Sequence, residues 1–131
     1  MMEENTTSSA YNRLSIQPIQ LIKAFRLDFC LASVIKWLTK WHMDSDPIQR
    51  RKYLENAEYY VWLCERHDPS TRNALMFATT AYCMVNGFAQ TDGGKYLLAS
   101  VVDLVTKGDL EGAATLLASQ EMHRLAENSI N

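Results

Sequence analysis

The sequence predicts an all-α protein: about six helices in a compact helical bundle with short connections. Three observations predict it. Apolar residues recur at helical spacing from Ser15 almost to the end of the chain. The pairs Asp46-Pro47 and Asp68-Pro69 repeat one helix opening, an N-cap followed by proline in the first turn. The 131 residues include only 5 Gly and 3 Pro, too few for a turn-rich all-β domain.

Each element has its own signal. Residues 1–14 read as a flexible N-terminal arm, polar and acidic at its start. Pro18 suits the first turn of a helix running to about Phe25. Asp28 caps a second helix over about residues 29–42, where Leu31, Val34, Ile35 and Leu38 form one stripe. Asp46-Pro47, with Gln49 three residues after the cap, opens a third helix to about Arg66. Tyr53, Ala57, Tyr60, Val61 and Cys64 line one face of it. Asp68-Pro69 opens a fourth helix to about Val85, strongly apolar through Leu75, Phe77, Ala78, Ala81 and Tyr82. Asn86-Gly87 permits either a helix end with Gly87 at C′ or a hairpin between 82–85 and 88–91, and the helix end is preferred. Asp92-Gly93-Gly94 marks a turn before a fifth helix, about Lys95 to Lys107, which stops at Gly108. Asp109 then caps a sixth, about Leu110 to Glu127. The expected organisation is a helical region over 15–68 with a second, over 69–131, packed on it.

Composition narrows the function classes. Hydrophobic residues are 47% and charged residues 21%, which argues against disorder. The net charge of −2 argues against a partner as large as extended nucleic acid. Residues 1–12 hold no apolar run of the kind a secretory leader needs, and no window approaches the roughly 20 apolar residues of a membrane span. Cys30, Cys64 and Cys83 are odd in number, widely spaced and set in apolar runs. Free thiols in a reducing cytoplasm are the expectation, with no membrane partner.

Charge is uneven. Eight basic residues and three acidic ones lie between Arg13 and Lys52, against four and six over 69–131. In the second helix Ser33, Lys36 and Lys40 share a face, and Trp37 and Trp41 follow an adjacent stripe. Across the turn, Arg50-Arg51-Lys52 opens the third helix, whose first turn offers free N–H groups and the positive end of the dipole. Ser33, Lys36, Lys40, Arg50, Arg51 and Lys52 are therefore candidates to cradle a phosphate, with the Trp37 face available to a base. The alternative is an amphipathic hairpin whose cations are solvated and whose tryptophans are core.

Other chemistry finds less support. Gly93-Gly94-Lys95 lacks the spacing and the preceding strand of a P-loop. Glu55 and Glu58 are one turn apart, but no second acidic pair faces them from a neighbouring helix, so no metal site is expected. His42, His67 and His123 each fall near an expected helix C-terminus, which mildly favours a cation. Met76, Met84 and Met122 read as core filler. No catalytic residue is identifiable.

The stretch Leu27-Asp28-Phe29-Cys30-Leu31-Ala32-Ser33-Val34-Ile35-Lys36-Trp37-Leu38-Thr39-Lys40 resembles the core of a family of small phage proteins that includes a podophage deoxynucleoside monophosphate kinase. Ala32-Ser33 stand where that family has Gly-Asn, Lys36-Trp37 where it has Lys-Tyr, and Lys40 where it has Arg. Leu54, Ala57 and Tyr60 continue the pattern, with Tyr53 in place of Asp. The resemblance covers about residues 15–66. It implies a phage or prophage protein in a bacterial cytoplasm that handles nucleotides, with a nucleoside triphosphate as phosphoryl donor if it is a kinase.

A second function class stands beside it: a non-enzymatic phage interaction protein that binds and inhibits a host enzyme or defence component. Three tryptophans and six tyrosines supply material for a hot spot, with Trp41 and Tyr59 as candidate partner-binding residues. Helical hairpins this rich in aromatics also predict a homo-oligomer.

Overall fold

The computed structural model describes residue 11, residues 13–91 and residues 93–130, with residues 121–130 as backbone alone. Most of the expected arm therefore lies outside the described residues, as do Asp92 and the side chains of Met122 and His123.

Six helices follow one another: α1 (Pro18–Phe25), α2 (Phe29–Met43), α3 (Pro47–Val61), α4 (Pro69–Val85), α5 (Leu97–Lys107) and α6 (Leu110–Ile130). There is no strand among the described residues, only an isolated bridge between Thr91 and Lys95. The protein is an all-α bundle. None of its helices, over the described residues, is long and apolar enough to cross a membrane.

The caps work as the residue types dictate. Asp28 accepts the Leu31 N–H at 2.9 Å, and Asp68 accepts the Thr71 N–H at 3.1 Å. Asp109 accepts the Gly112 N–H at 2.9 Å and starts α6. At the end of α4, Gly87 takes a φ of +72° while its N–H and that of Phe88 return to Met84 and Cys83. The glycine end of a helix is formed there, and the alternative hairpin is not.

Three boundaries differ from expectation. Helix α3 ends at Val61, not near Arg66, because residues 62–68 are drawn away: the His67 N–H donates to the Thr106 carbonyl at 2.9 Å. His67 consequently lies outside any helix. The residue before Pro69 must also be extended, which keeps the chain non-helical there. Helix α5 starts at Leu97, not Lys95, since Thr91 and Lys95 close a small loop over Gly93 and Gly94. Helix α6 continues to Ile130.

Helix α2 is the centre of the packing. It pairs with α3 across the bend at residues 44–46 and also touches α5 and α1, while α6 lies against α3 and α4 against α5. Leu31, Val34, Ile35 and Leu38 of α2 meet Leu54, Ala57 and Val61 of α3 and the Leu97–Val105 face of α5 in one core. Each such leucine contributes on the order of 1.5–3 kcal/mol by leaving water. The segment before α1 is held as well. Asn86 accepts the Ile16 N–H at 3.0 Å and donates to its carbonyl at 2.9 Å. Tyr11, within the arm expected over 1–14, is only 1% exposed and so is packed into the bundle.

Candidate functional site at the bend between the second and third helices

A cavity of about 270 Å³ opens beside the bend, lined by Tyr11, Arg13, Lys40, Met43, Asp44 and Tyr53. Three pieces of chain build it. The last turn of α2 brings Lys40 and Met43, the bend brings Asp44, and α3 brings Tyr53 two turns after its proline start. The segment before α1 folds back to add Tyr11 and Arg13.

The aromatic groups order the cations. Trp37 and Tyr53 stack with centroids 6.0 Å apart and planes 25° apart. The Lys40 ammonium lies 5.7 Å from the Trp37 ring and 5.7 Å from the Tyr11 ring, a cation–π arrangement that restrains a long side chain. The Tyr53 hydroxyl donates to Asp44 Oδ2 at 3.2 Å, and the Asp46 N–H donates to Asp44 Oδ1 at 2.9 Å. Neither Arg13 nor Lys40 forms an ion pair among the described residues.

Tyr11 is the unusual member. Its hydroxyl is buried and has no hydrogen-bond partner among the described residues. Burial, with the nearby Tyr53, pushes its pKa up to about 12, so the group is a neutral donor at physiological pH. Tyr53 is also raised, by burial and by the Asp44 carboxylate that its neutral form hydrogen-bonds. A buried hydroxyl left unpaired costs on the order of 1–3 kcal/mol. Tyr11 lines the same cavity as the two cations Arg13 and Lys40.

The residues expected to form one phosphate site are distributed differently. Lys40 lines the cavity, and Trp37 supports it from behind. Lys36 is half-buried on α2 and is not among the lining residues. Ser33 is buried on α2 at 5% exposure and is not among the lining residues. The Arg50 guanidinium covers the Trp41 indole at 3.8 Å. Arg51 pairs with Glu55 at 3.6 Å on the exposed side of α3, and Lys52 is exposed there too. Successive helical positions diverge by about 100°, which is why the run Arg50–Lys52 does not converge on one point.

Trp41 is corrected as a partner-binding residue: at 8% exposure, under Arg50, it has no surface to offer. Tyr59 is 66% exposed and sits edge-on to Tyr60. Tyr60 in turn meets Phe29, which is 70% exposed. Trp62 and Leu63 are exposed just beyond the end of α3. These groups form an aromatic ridge at the open end of the α2–α3 hairpin.

His42 has a structural task. It stacks on Phe88 with centroids 4.6 Å apart, and its Nε2 accepts the Leu98 N–H at 3.3 Å. Tyr96, the N-cap of α5, provides no side-chain cap, so His42 supplies an acceptor from another helix. Burial, with Arg50 nearby, lowers its pKa to about 3 and keeps the ring neutral. The cysteines are free; burial pushes Cys64 and Cys83 up to about 12, which makes them poor nucleophiles. Among the described residues no group of three or more His, Cys, Asp or Glu gathers to hold a metal ion.

Tyr11, Arg13 and Asp44 carry no periodic or motif signal that sets them apart as binding residues. Their proximity to Lys40 is created by tertiary packing alone. Comparison with family models, with curated proteins and with solved structures finds no match for the chain.

Proposed function

We propose that this chain is a nucleotide-handling protein that holds a phosphate-bearing small molecule in the cavity at the α2–α3 bend. One observation carries the reading: two cations without ion-pair partners among the described residues, Arg13 and Lys40, line the same cavity as Tyr11, whose buried hydroxyl has no hydrogen-bond partner among those residues. Charge-assisted hydrogen bonds to a phosphate would satisfy all three at once. The resemblance of residues 15–66 to the phage family supports nucleotides as the class, since Lys40 stands at that family's Arg position. On that resemblance the setting is an infected bacterial cell, and a nucleoside triphosphate would be the phosphoryl donor. Arg13 and Lys40 would then counter the charge on the transferring group.

Calorimetry of the pure protein against a panel of nucleoside and deoxynucleoside mono-, di- and triphosphates tests this. Binding is expected, with Arg13→Ala and Lys40→Ala each weakening it by about tenfold, or 1.4 kcal/mol. No heat with any mono-, di- or triphosphate would remove the reading.

The aromatic ridge favours a second reading, an interaction protein that blocks a host enzyme or defence component through Phe29, Tyr59 and Trp62. The same surface would serve a homo-oligomer. On this reading a stoichiometric complex forms with one host protein and is lost with Tyr59→Ala, while the nucleotide panel gives no heat.

A further inference from the structure

We infer that the cavity at the bend recognises a phosphorylated ribose, with the phosphate between Arg13 and Lys40, ribose hydroxyls donating to Asp44, and any base left outside. The inference rests on the phosphate-binding reading above and adds what the rest of the ligand must be.

Two features require more than a bare anion. The first is Asp44. A carboxylate lining a phosphate cavity repels the phosphate, so a ligand that fits must bring hydrogen-bond donors to it. Asp44 accepts from the Tyr53 hydroxyl on one oxygen and from the Asp46 N–H on the other. A carboxylate has about four acceptor positions, so each oxygen keeps one for an incoming hydroxyl. A pair of neighbouring sugar hydroxyls supplies two donors at that spacing. The second feature is size. At about 270 Å³ the cavity is smaller than the roughly 300–1,000 Å³ usual for whole drug-sized ligands. Neither Trp37 nor Trp41 lines it: Trp37 spends a face on Tyr53, and Trp41 lies under Arg50. A base would have no tryptophan face inside the cavity.

The test is calorimetry of the full chain with inorganic phosphate, ribose 5-phosphate, 2-deoxyribose 5-phosphate and uridine 5′-monophosphate. Ribose 5-phosphate is expected to bind about tenfold tighter than inorganic phosphate and about fivefold tighter than its deoxy analogue, because a site that pairs a hydroxyl rejects the ligand lacking it. The nucleotide is expected within about threefold of ribose 5-phosphate, since its base adds no enclosed contact. Asp44→Asn is expected to lose about tenfold for ribose 5-phosphate while binding inorganic phosphate at least as tightly as the natural chain, since the repelling charge is gone. Should that variant not fold, the two sugar phosphates on the natural chain decide alone. Equal binding of ribose and deoxyribose phosphates overturns the sugar assignment and leaves the phosphate reading standing. A nucleotide bound some thirtyfold tighter than ribose 5-phosphate overturns the exclusion of the base. Silence toward all four overturns the sugar-phosphate assignment, and the nucleotide panel then decides the phosphate reading by itself.

Discussion

The two ends of the α2–α3 hairpin use the same kinds of residue to opposite effect. At the bend, aromatic rings are inside or stacked, and each organises a charge: Trp41 lies under Arg50, and Trp37 and Tyr11 flank Lys40. At the open end, Phe29 and Tyr59 stand in solvent, with Tyr60 between them and no cation on the rings among the described residues. Aromatic content alone therefore says little about role. What surrounds each ring decides whether it builds a polar cavity or an exposed ridge.

The largest expected difference is in stability. Trp41→Ala removes a buried ring and leaves Arg50 without its platform, so a loss of about 3–5 kcal/mol is expected in urea unfolding. Phe29→Ala removes a ring that is mostly in water, and a loss within about 0.5–1 kcal/mol is expected. Similar losses at both positions would erase the distinction.

Acid should strike the bend end next. His42 is held neutral with a pKa near 3, against 6.5 in the unfolded chain. Between those values the unfolded state binds more protons than the native state, so stability rises with pH across this window and falls on acidification. A decline of about 1 kcal/mol per pH unit below pH 6 is expected in denaturant titrations. His42→Gln keeps an acceptor for Leu98 and should flatten that slope; an unchanged slope would assign it to other groups.

A smaller and opposite effect is expected at Tyr11. Tyr11→Phe deletes the unpaired buried hydroxyl, so the ligand-free protein should gain about 1 kcal/mol while phosphate binding weakens about tenfold. A stabilised variant that binds as well as the natural chain would show that the hydroxyl serves no ligand. The least effect belongs to Arg51→Ala. Its partner Glu55 is exposed like itself, and the change should stay within about 0.5 kcal/mol in unfolding and leave phosphate affinity unchanged.

Much of the fold was legible because local chemistry dictates it. Helices α1 and α4 span the residues that their prolines, caps and Gly87 predict, since each boundary is set by groups within one turn. The end of α3 was not legible, because it depends on the His67 N–H reaching Thr106, a partner on a distant helix. The site divides in the same way. Lys40 beside Trp37 follows from helical spacing. Tyr11 and Arg13 precede α1, and nothing in their neighbours announces that they return to the end of α2. The apparent unity of Arg50, Arg51 and Lys52 misled for a related reason: adjacent residues on a helix point apart, and each finds a different neighbour.

The central claim is that anion binding belongs to the bend and not to the open end. A ¹H–¹⁵N NMR titration of the full chain with ribose 5-phosphate tests it most directly. Saturable shifts are expected at the amides of Tyr11, Arg13, Lys40 and Asp44, with Phe29 and Tyr59 unmoved. Shifts centred on Phe29 and Tyr59, or none that saturate anywhere, would contradict it.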